Sequence, residues 1–128
     1  MWYQDASWLD TAGRLLFVFF FLVTGLCNLT RERIKDHIDR MAESRTPFPA
    51  AAFWIGIALQ FTGCALLVTG WHAETGVYCL ILFTLAATAI FHRFWSMQDP
   101  KQRNVSRLMF LNNTAILGGL LLLLENLR

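Results

Sequence analysis

Residues 50–71 read AAAFWIGIALQFTGCALLVTGW and contain no Asp, Glu, Lys, Arg or His. A short connection, residues 72–75, leads to a second apolar block at residues 76–95, and two more blocks lie at 13–30 and 108–124. At about 1.5 Å per residue, helices of this length cross the roughly 30 Å hydrocarbon core of a bilayer. The sequence therefore predicts an all-α, integral membrane bundle of four transmembrane helices.

The composition of the chain excludes a soluble protein. Of its 128 residues, 55% are hydrophobic and only 16% are charged, whereas soluble domains average about 25% charged residues. Too little polar surface remains to cover a water-soluble core or to bind nucleic acid. We therefore predict a single membrane domain over residues 1–128, with the lipid bilayer as its first partner.

The basic residues predict how the chain is oriented. Nine of the eleven Lys and Arg residues lie in two segments, residues 31–49 and 92–107. They are Arg31, Arg33, Lys35, Arg40, Arg45, Arg93, Lys101, Arg103 and Arg107. Short loops rich in Lys and Arg stay in the cytoplasm. We therefore expect a multi-pass protein of the cell inner membrane, with loops 31–49 and 96–107 cytoplasmic and both termini outside.

Two further features are expected at the membrane surface. Residues 31–46 place Ile34, Ile38 and Met41 at helical spacing, which predicts an amphipathic helix that lies on the inner surface or extends the first span. Aromatic residues ahead of the first block are typical of the interfacial belt of membrane proteins: Trp2, Tyr3 and Trp8.

Polar residues inside the apolar blocks are the candidate site. Because a polar side chain is costly in hydrocarbon, each one needs a partner. With the predicted orientation, Asn28, His92 and either Asn112 or Asn113 fall at similar depth, which would form a polar pocket open to the cytoplasm. The full candidate ligand-binding set is Asn28, Gln60, Thr88, His92, Trp95, Asn112 and Asn113. The alternative interpretation is that the same residues form structural hydrogen bonds between helices.

Small residues predict where the helices pack together. Glycine lets two helix backbones approach closely, and in the second span small residues recur on one stripe that Gln60 interrupts. The predicted packing positions are Gly56, Gly63, Gly70, Gly118 and Gly119.

No pattern in the sequence predicts catalysis or a metal site. Cys27, Cys64 and Cys79 lie in three different spans, without the Cys-x-x-Cys spacing of a thiol redox site. No group of His, Cys, Asp and Glu has metal-ligand spacing, and there is no phosphate-binding glycine loop. No carboxylate lies within a span, which disfavours proton-coupled transport. We predict no catalytic residues, no metal and no catalytic activity of the chain's own.

Four stretches resemble the DoxX family. They are residues 13–16 (GRLL) with 24–28 (TGLCN), residues 60–67 (QFTGCALL), residues 91–97 (FHRFWSM) followed by Asp99-Pro100, and residues 110–113 (FLNN) with 118–121 (GGLL). The resemblance covers about residues 13–124 and implies a small four-helix membrane protein. Relatives include a subunit of an archaeal thiosulfate:quinone oxidoreductase and a bacterial membrane component linked to oxidative-stress enzymes.

The chain departs from the family pattern at three positions. The resemblance implies Lys where Asn28 stands, Glu near Gln60 and often Lys at Asn112. An amide forms hydrogen bonds but does not titrate, so this chain is expected to lack an activity that depends on those charges.

The leading prediction is a non-catalytic subunit or scaffold that associates with itself or with a larger membrane or redox complex, and needs no cofactor. The resemblance supports an alternative, an oxidoreductase subunit linked to quinone or thiosulfate. His92 and Trp95 would then contact the ligand, and Asn28, Gln60 and Asn112 would form hydrogen bonds to it. A second alternative, a passive carrier or cargo-binding membrane protein, is disfavoured by the apolar outer half of the bundle.

Overall fold

The computed structural model describes residue 4 and residues 7–128, and this described part is helical without strands. Trp2 and Tyr3 lie outside the described residues. The helices are α1 (Trp8–Cys27), α2 (Arg31–Glu43), α3 (Pro49–Thr69), α4 (Ala73–Phe91) and α5 (Pro100–Leu127), with a 3₁₀ turn at Phe94–Ser96. The predicted all-α fold is confirmed.

Four of these helices are long and apolar enough to cross a membrane: α1, α3, α5, and α4 continued through the 3₁₀ turn to Ser96. Helix α3 packs against α1 on one side and α4 on the other, and α5 packs against α4. The core between them contains Phe21, Leu67, Leu80 and Leu120, which are almost completely buried. Many Leu, Phe and Trp side chains remain exposed on the outside of the bundle, as expected where lipid is the solvent.

Two helices extend beyond the apolar blocks that predicted them. Helix α1 begins at Trp8, where the Ser7 hydroxyl accepts a hydrogen bond of 3.1 Å from the backbone N–H of Asp10. Helix α5 begins at Pro100, eight residues before the apolar block at 108–124. Hydropathy detects only the part of a helix that lies in lipid, whereas the helix itself continues into water until a cap or a proline ends it.

The connection between α3 and α4 is shorter than predicted. Gly70 and His72 both adopt left-handed backbone conformations, with φ of 76° and 51°, so residues 70–72 alone reverse the chain. Gly70 was expected on a packing face, but it ends α3 instead, because a left-handed residue at a helix end favours glycine.

Helix α2 packs against the ends of α3 and α4. Met41 is only 3% exposed and lies in a cluster with Phe53 and Ile57. The hydroxyl of Ser44, which follows α2, donates to the carbonyl of Ile90, and the Arg93 guanidinium donates to the carbonyl of Ser44 (3.4 Å each). The segment after α2 therefore meets the segment after α4 at one end of the bundle.

The opposite end of the bundle joins α1 to α5. The side-chain amide of Asn126 donates to the Asp10 carboxylate, so the start of α1 and the end of α5 lie together. Because Ser44 contacts Ile90 and Arg93, the two basic segments, residues 31–49 and 92–107, share the other end of the bundle, which we call the basic end.

Candidate functional site

Gln60 is the most deeply buried of the candidate residues. Only 1% of it is exposed, in the middle of α3, where it faces α1. Its Nε2 donates 2.7 Å to the carbonyl of Phe21 and 3.0 Å to the hydroxyl of Thr24, and Gly25 leaves the room for this contact. Its Oε1 is buried without a hydrogen-bond partner among the described residues. Gln60 therefore joins α3 to α1.

Thr88 and Asn113 form a second polar contact, between α4 and α5. The amide of Asn113 donates 2.8 Å to the Thr88 hydroxyl, which in turn donates 2.7 Å to the carbonyl of Thr84. Within the described residues no hydrogen bond connects this pair to Gln60. The structure thus divides the predicted set between two helix interfaces, α1–α3 and α4–α5.

Asn28 and His92 occupy helix ends. Asn28 follows the last residue of α1, and its backbone N–H donates to the carbonyls of Gly25 and Leu26. His92 follows α4 in the same way, its N–H donating 3.1 Å to the Thr88 carbonyl. The Nδ1 atom of His92 is buried and has no hydrogen-bond partner in the part of the chain that the structure describes.

Trp95 and Asn112 face outward. Trp95 is 62% exposed and contacts Phe110 edge to face, with 5.8 Å between ring centroids. The side chain of Asn112 is also exposed, on the outer side of α5. Binding of a quinone by the predicted set stays a prediction.

Trp95 and Thr88 share an open groove of about 460 Å³ on the outside of the bundle. The α4–α5 groove is lined by Leu85, Thr88, Ala89, Arg93, Trp95, Phe110, Thr114 and Leu117. Arg93 and Trp95 lie where it reaches the basic end, so the groove joins an apolar surface to a cationic group.

The remaining predicted packing glycines divide into two groups. A Cβ placed on Gly63 would lie 2.7 Å from Leu80, one on Gly119 would lie 2.8 Å from Phe17, and Gly56 faces Phe83 at 3.7 Å. These three lie at helix contacts. Gly118 was expected to do the same, but a Cβ there would meet nothing within 4 Å, because α5 turns this side outward.

The sequence analysis missed two structural contacts. Gly76 on α4 faces Gly63, and a Cβ on Gly76 would lie 3.0 Å from the Gly63 carbonyl oxygen. Asp10 and Arg14 form an ion pair of 2.9 Å in which Arg14 is only 8% exposed. Their spacing of four residues on a helix is the signal that could have predicted this pair.

The polar contacts between the spans determine which helices pack against each other. Gln60 and Asn113 each pair a side-chain amide with a hydroxyl or carbonyl on a neighbouring helix, and hydrogen bonds of this kind average about 0.6 kcal/mol in membrane bundles. Among the described residues, no three His, Cys, Asp or Glu side chains lie close enough together to bind a metal ion.

Comparison with known proteins adds two matches. The family model described as DoxX matches residues 9–93, that is 85 of the 128 residues. The Surfeit locus protein 4 homolog of Schizosaccharomyces pombe is 29% identical over 129 residues, covering 96% of this chain and 35% of the relative. The chain thus spans about a third of the length of that relative. No solved structure matches the chain.

Proposed function

Because the chain belongs to the DoxX family, as a multi-pass membrane protein, we propose that it is a non-catalytic membrane subunit or scaffold. The observation that supports this proposal is the outer face of α5, which none of the described helices covers. This outer face consists of Leu108, Leu111, Asn112, Ala115, Gly118 and Leu122, all of them exposed.

Asn112 is the unusual member of the outer face. It lies four residues, or about 6 Å, inside the apolar block, and its side chain has no hydrogen-bond partner among the described residues. An amide facing lipid is costly unless another helix provides a donor or acceptor. Gly118, with open space around its Cα, would let the backbone of that helix come close. We therefore infer that the outer face contacts a second copy or another membrane protein.

Replacing Asn112 with Leu is expected to weaken association about tenfold. Hydrogen bonds between membrane helices contribute about 1–2 kcal/mol in model peptides, and about 1.4 kcal/mol corresponds to tenfold in affinity. Native mass spectrometry of gently solubilised protein, together with energy transfer between labelled copies in vesicles, would measure the change.

Asn113→Leu is the matched control for this experiment, because Asn113 is the neighbouring amide but points inward to Thr88. It should lower the stability of the bundle and leave association unchanged. A wild-type protein that is monomeric and without a partner, or an Asn112→Leu variant that associates as well as wild type, would refute the proposal.

We also propose that the basic end faces the cytoplasm of a cell inner membrane. The excess of Lys and Arg in loops 31–49 and 96–107 supports this orientation. Both termini would then lie outside.

Single cysteines at exposed positions test the orientation, in a background without the three native cysteines. Lys35→Cys and Lys101→Cys should react with an impermeant maleimide only in inverted vesicles, and Glu125→Cys only in right-side-out vesicles. Labelling of residues 35 and 101 from opposite sides would contradict both the orientation and the shared basic end.

A further inference from the structure

The α4–α5 groove presents an almost purely apolar wall. Leu85, Ala89, Phe110 and Leu117 form its surface between the two helices. The two hydroxyls in the groove are already occupied, since Thr88 donates to the Thr84 carbonyl and Thr114 donates 2.9 Å to the Phe110 carbonyl. The wall therefore offers an extended apolar contact and no free hydroxyl donor, which suits a hydrocarbon chain.

The length of the groove corresponds to one leaflet. Helix α4 rises about 9 Å from Leu85 to its last residue, Phe91, at 1.5 Å per residue, and Arg93 follows two residues later. Half of a hydrocarbon core is about 15 Å. The apolar wall thus runs from near the middle of the bilayer to the interface at the basic end.

Arg93 places a cation where the groove meets this interface. Its Nε donates to the Ala89 carbonyl, and its Nη2 donates to the Ser44 carbonyl. A guanidinium carries five N–H donors, so three remain for a further acceptor. No Asp or Glu among the described residues forms an ion pair with Arg93, which leaves its charge for an external anion.

Two more cations continue the groove on α5. Arg107 precedes Phe110 by three residues and Thr114 by seven, and Arg103 precedes Phe110 by seven, so both lie on the same face of the helix. Trp95 lines the groove together with Arg93 and is exposed and packed on Phe94 and Phe110. Trp prefers such a position at the interface in membrane proteins.

We propose that the α4–α5 groove binds an anionic glycerophospholipid, with an acyl chain along the apolar wall and its phosphate at Arg93. The charge complementarity between the basic end and the headgroup, together with the leaflet-length apolar wall, supports this occupant over an uncharged ligand. In the proposed orientation the groove opens to the cytoplasmic leaflet, where anionic lipids attract basic residues.

Quenching of Trp95 by lipids with a brominated acyl chain tests the proposal. The probe is a variant whose other tryptophans are replaced by Phe, in symmetric phosphatidylcholine vesicles that contain brominated phosphatidylglycerol or brominated phosphatidylcholine. Because both leaflets hold the same lipid, the result does not depend on orientation. The outer face of α5 that is proposed for association shares no residue with the lining of the groove. We expect phosphatidylglycerol to be preferred about fivefold, the effect of one cation at the interface.

Arg93→Gln should lower this preference about fivefold, while Arg93→Lys, which keeps the charge, should retain most of it. Arg128→Gln removes an exposed cation at the other end of the bundle and should leave the preference for phosphatidylglycerol unchanged. Added salt should reduce the preference in the unmutated groove, which tests the charge effect without any variant. Equal quenching by the two lipids before mutation, or an undiminished preference in a folded Arg93→Gln variant, would overturn the proposal.

Discussion

Replacing Gly63 with Leu is expected to destabilise the bundle by about 3 kcal/mol or more. A Cβ on Gly63 would lie 2.7 Å from Leu80 Cγ and 3.0 Å from the backbone oxygen of Gly76. The Leu80 side chain is completely buried and the Gly76 carbonyl is part of a helix, so neither can move without separating α3 from α4. Overpacking of cores typically costs about 1–3 kcal/mol, and an obstructed backbone adds to this. Unfolding in mixed micelles by added SDS, followed by circular dichroism, would measure the loss.

Gly13→Ala provides the control, because a Cβ on Gly13 would meet nothing within 4 Å. This change should leave stability the same or raise it slightly, since Ala is the better helix former. The stability of Gly63→Ala should lie between those of Gly63→Leu and Gly13→Ala. If Gly63→Leu unfolds at the same SDS fraction as wild type, the close approach of α3 and α4 is wrong.

Replacing Gln60 with Glu is expected to cost about 3 kcal/mol at neutral pH, the order of the penalty for a charge at the centre of a membrane helix. A carboxylate oxygen would stand where Nε2 now donates to the Phe21 carbonyl at 2.7 Å and to the Thr24 hydroxyl. Attraction would thus become repulsion between the new carboxylate and the carbonyl, in a site that is closed to water. The loss should shrink as the pH falls, because protonation removes the charge and restores one donor.

Gln60→Met separates the charge from the lost hydrogen bonds. Met is close to Gln in length and apolar, so this variant should lose only about 0.6–1.7 kcal/mol, with no dependence on pH. The same SDS titration at neutral and acidic pH would compare the variants. If Gln60→Glu proves as stable at neutral pH as Gln60→Met, water or a cation must reach the interior beside α1.

The position of each polar residue along its helix was predictable from the sequence, whereas its neighbours were not. Gln60 is the eleventh of the 22 residues in the apolar stretch 50–71, and it lies near the middle of α3. Its partners are Phe21 and Thr24 on α1, and not Asn28 one turn further on. Hydropathy and charge give position along the membrane normal, but the rotation of each helix about its axis depends on packing against all its neighbours at once.

The same reasoning explains the difference between Asn112 and Asn113. Adjacent residues on a helix point about 100° apart, so only one of the two amides can face the bundle. The pattern of apolar residues in α5 is nearly continuous and does not show which side is inside. In the structure Asn113 forms the hydrogen bond to Thr88, and the side chain of Asn112 is exposed on the outer side of α5.

The three-residue reversal at Gly70–His72 bears on how the protein is made. Gly63 and Gly76, which meet across it, are only 13 positions apart along the chain, so joining them demands little loss of chain entropy. The α3–α4 hairpin can therefore complete this close contact as soon as both arms have left the ribosome, before α5 has emerged from it. Insertion of this hairpin as a preformed pair would then provide the surface on which the first and last spans assemble.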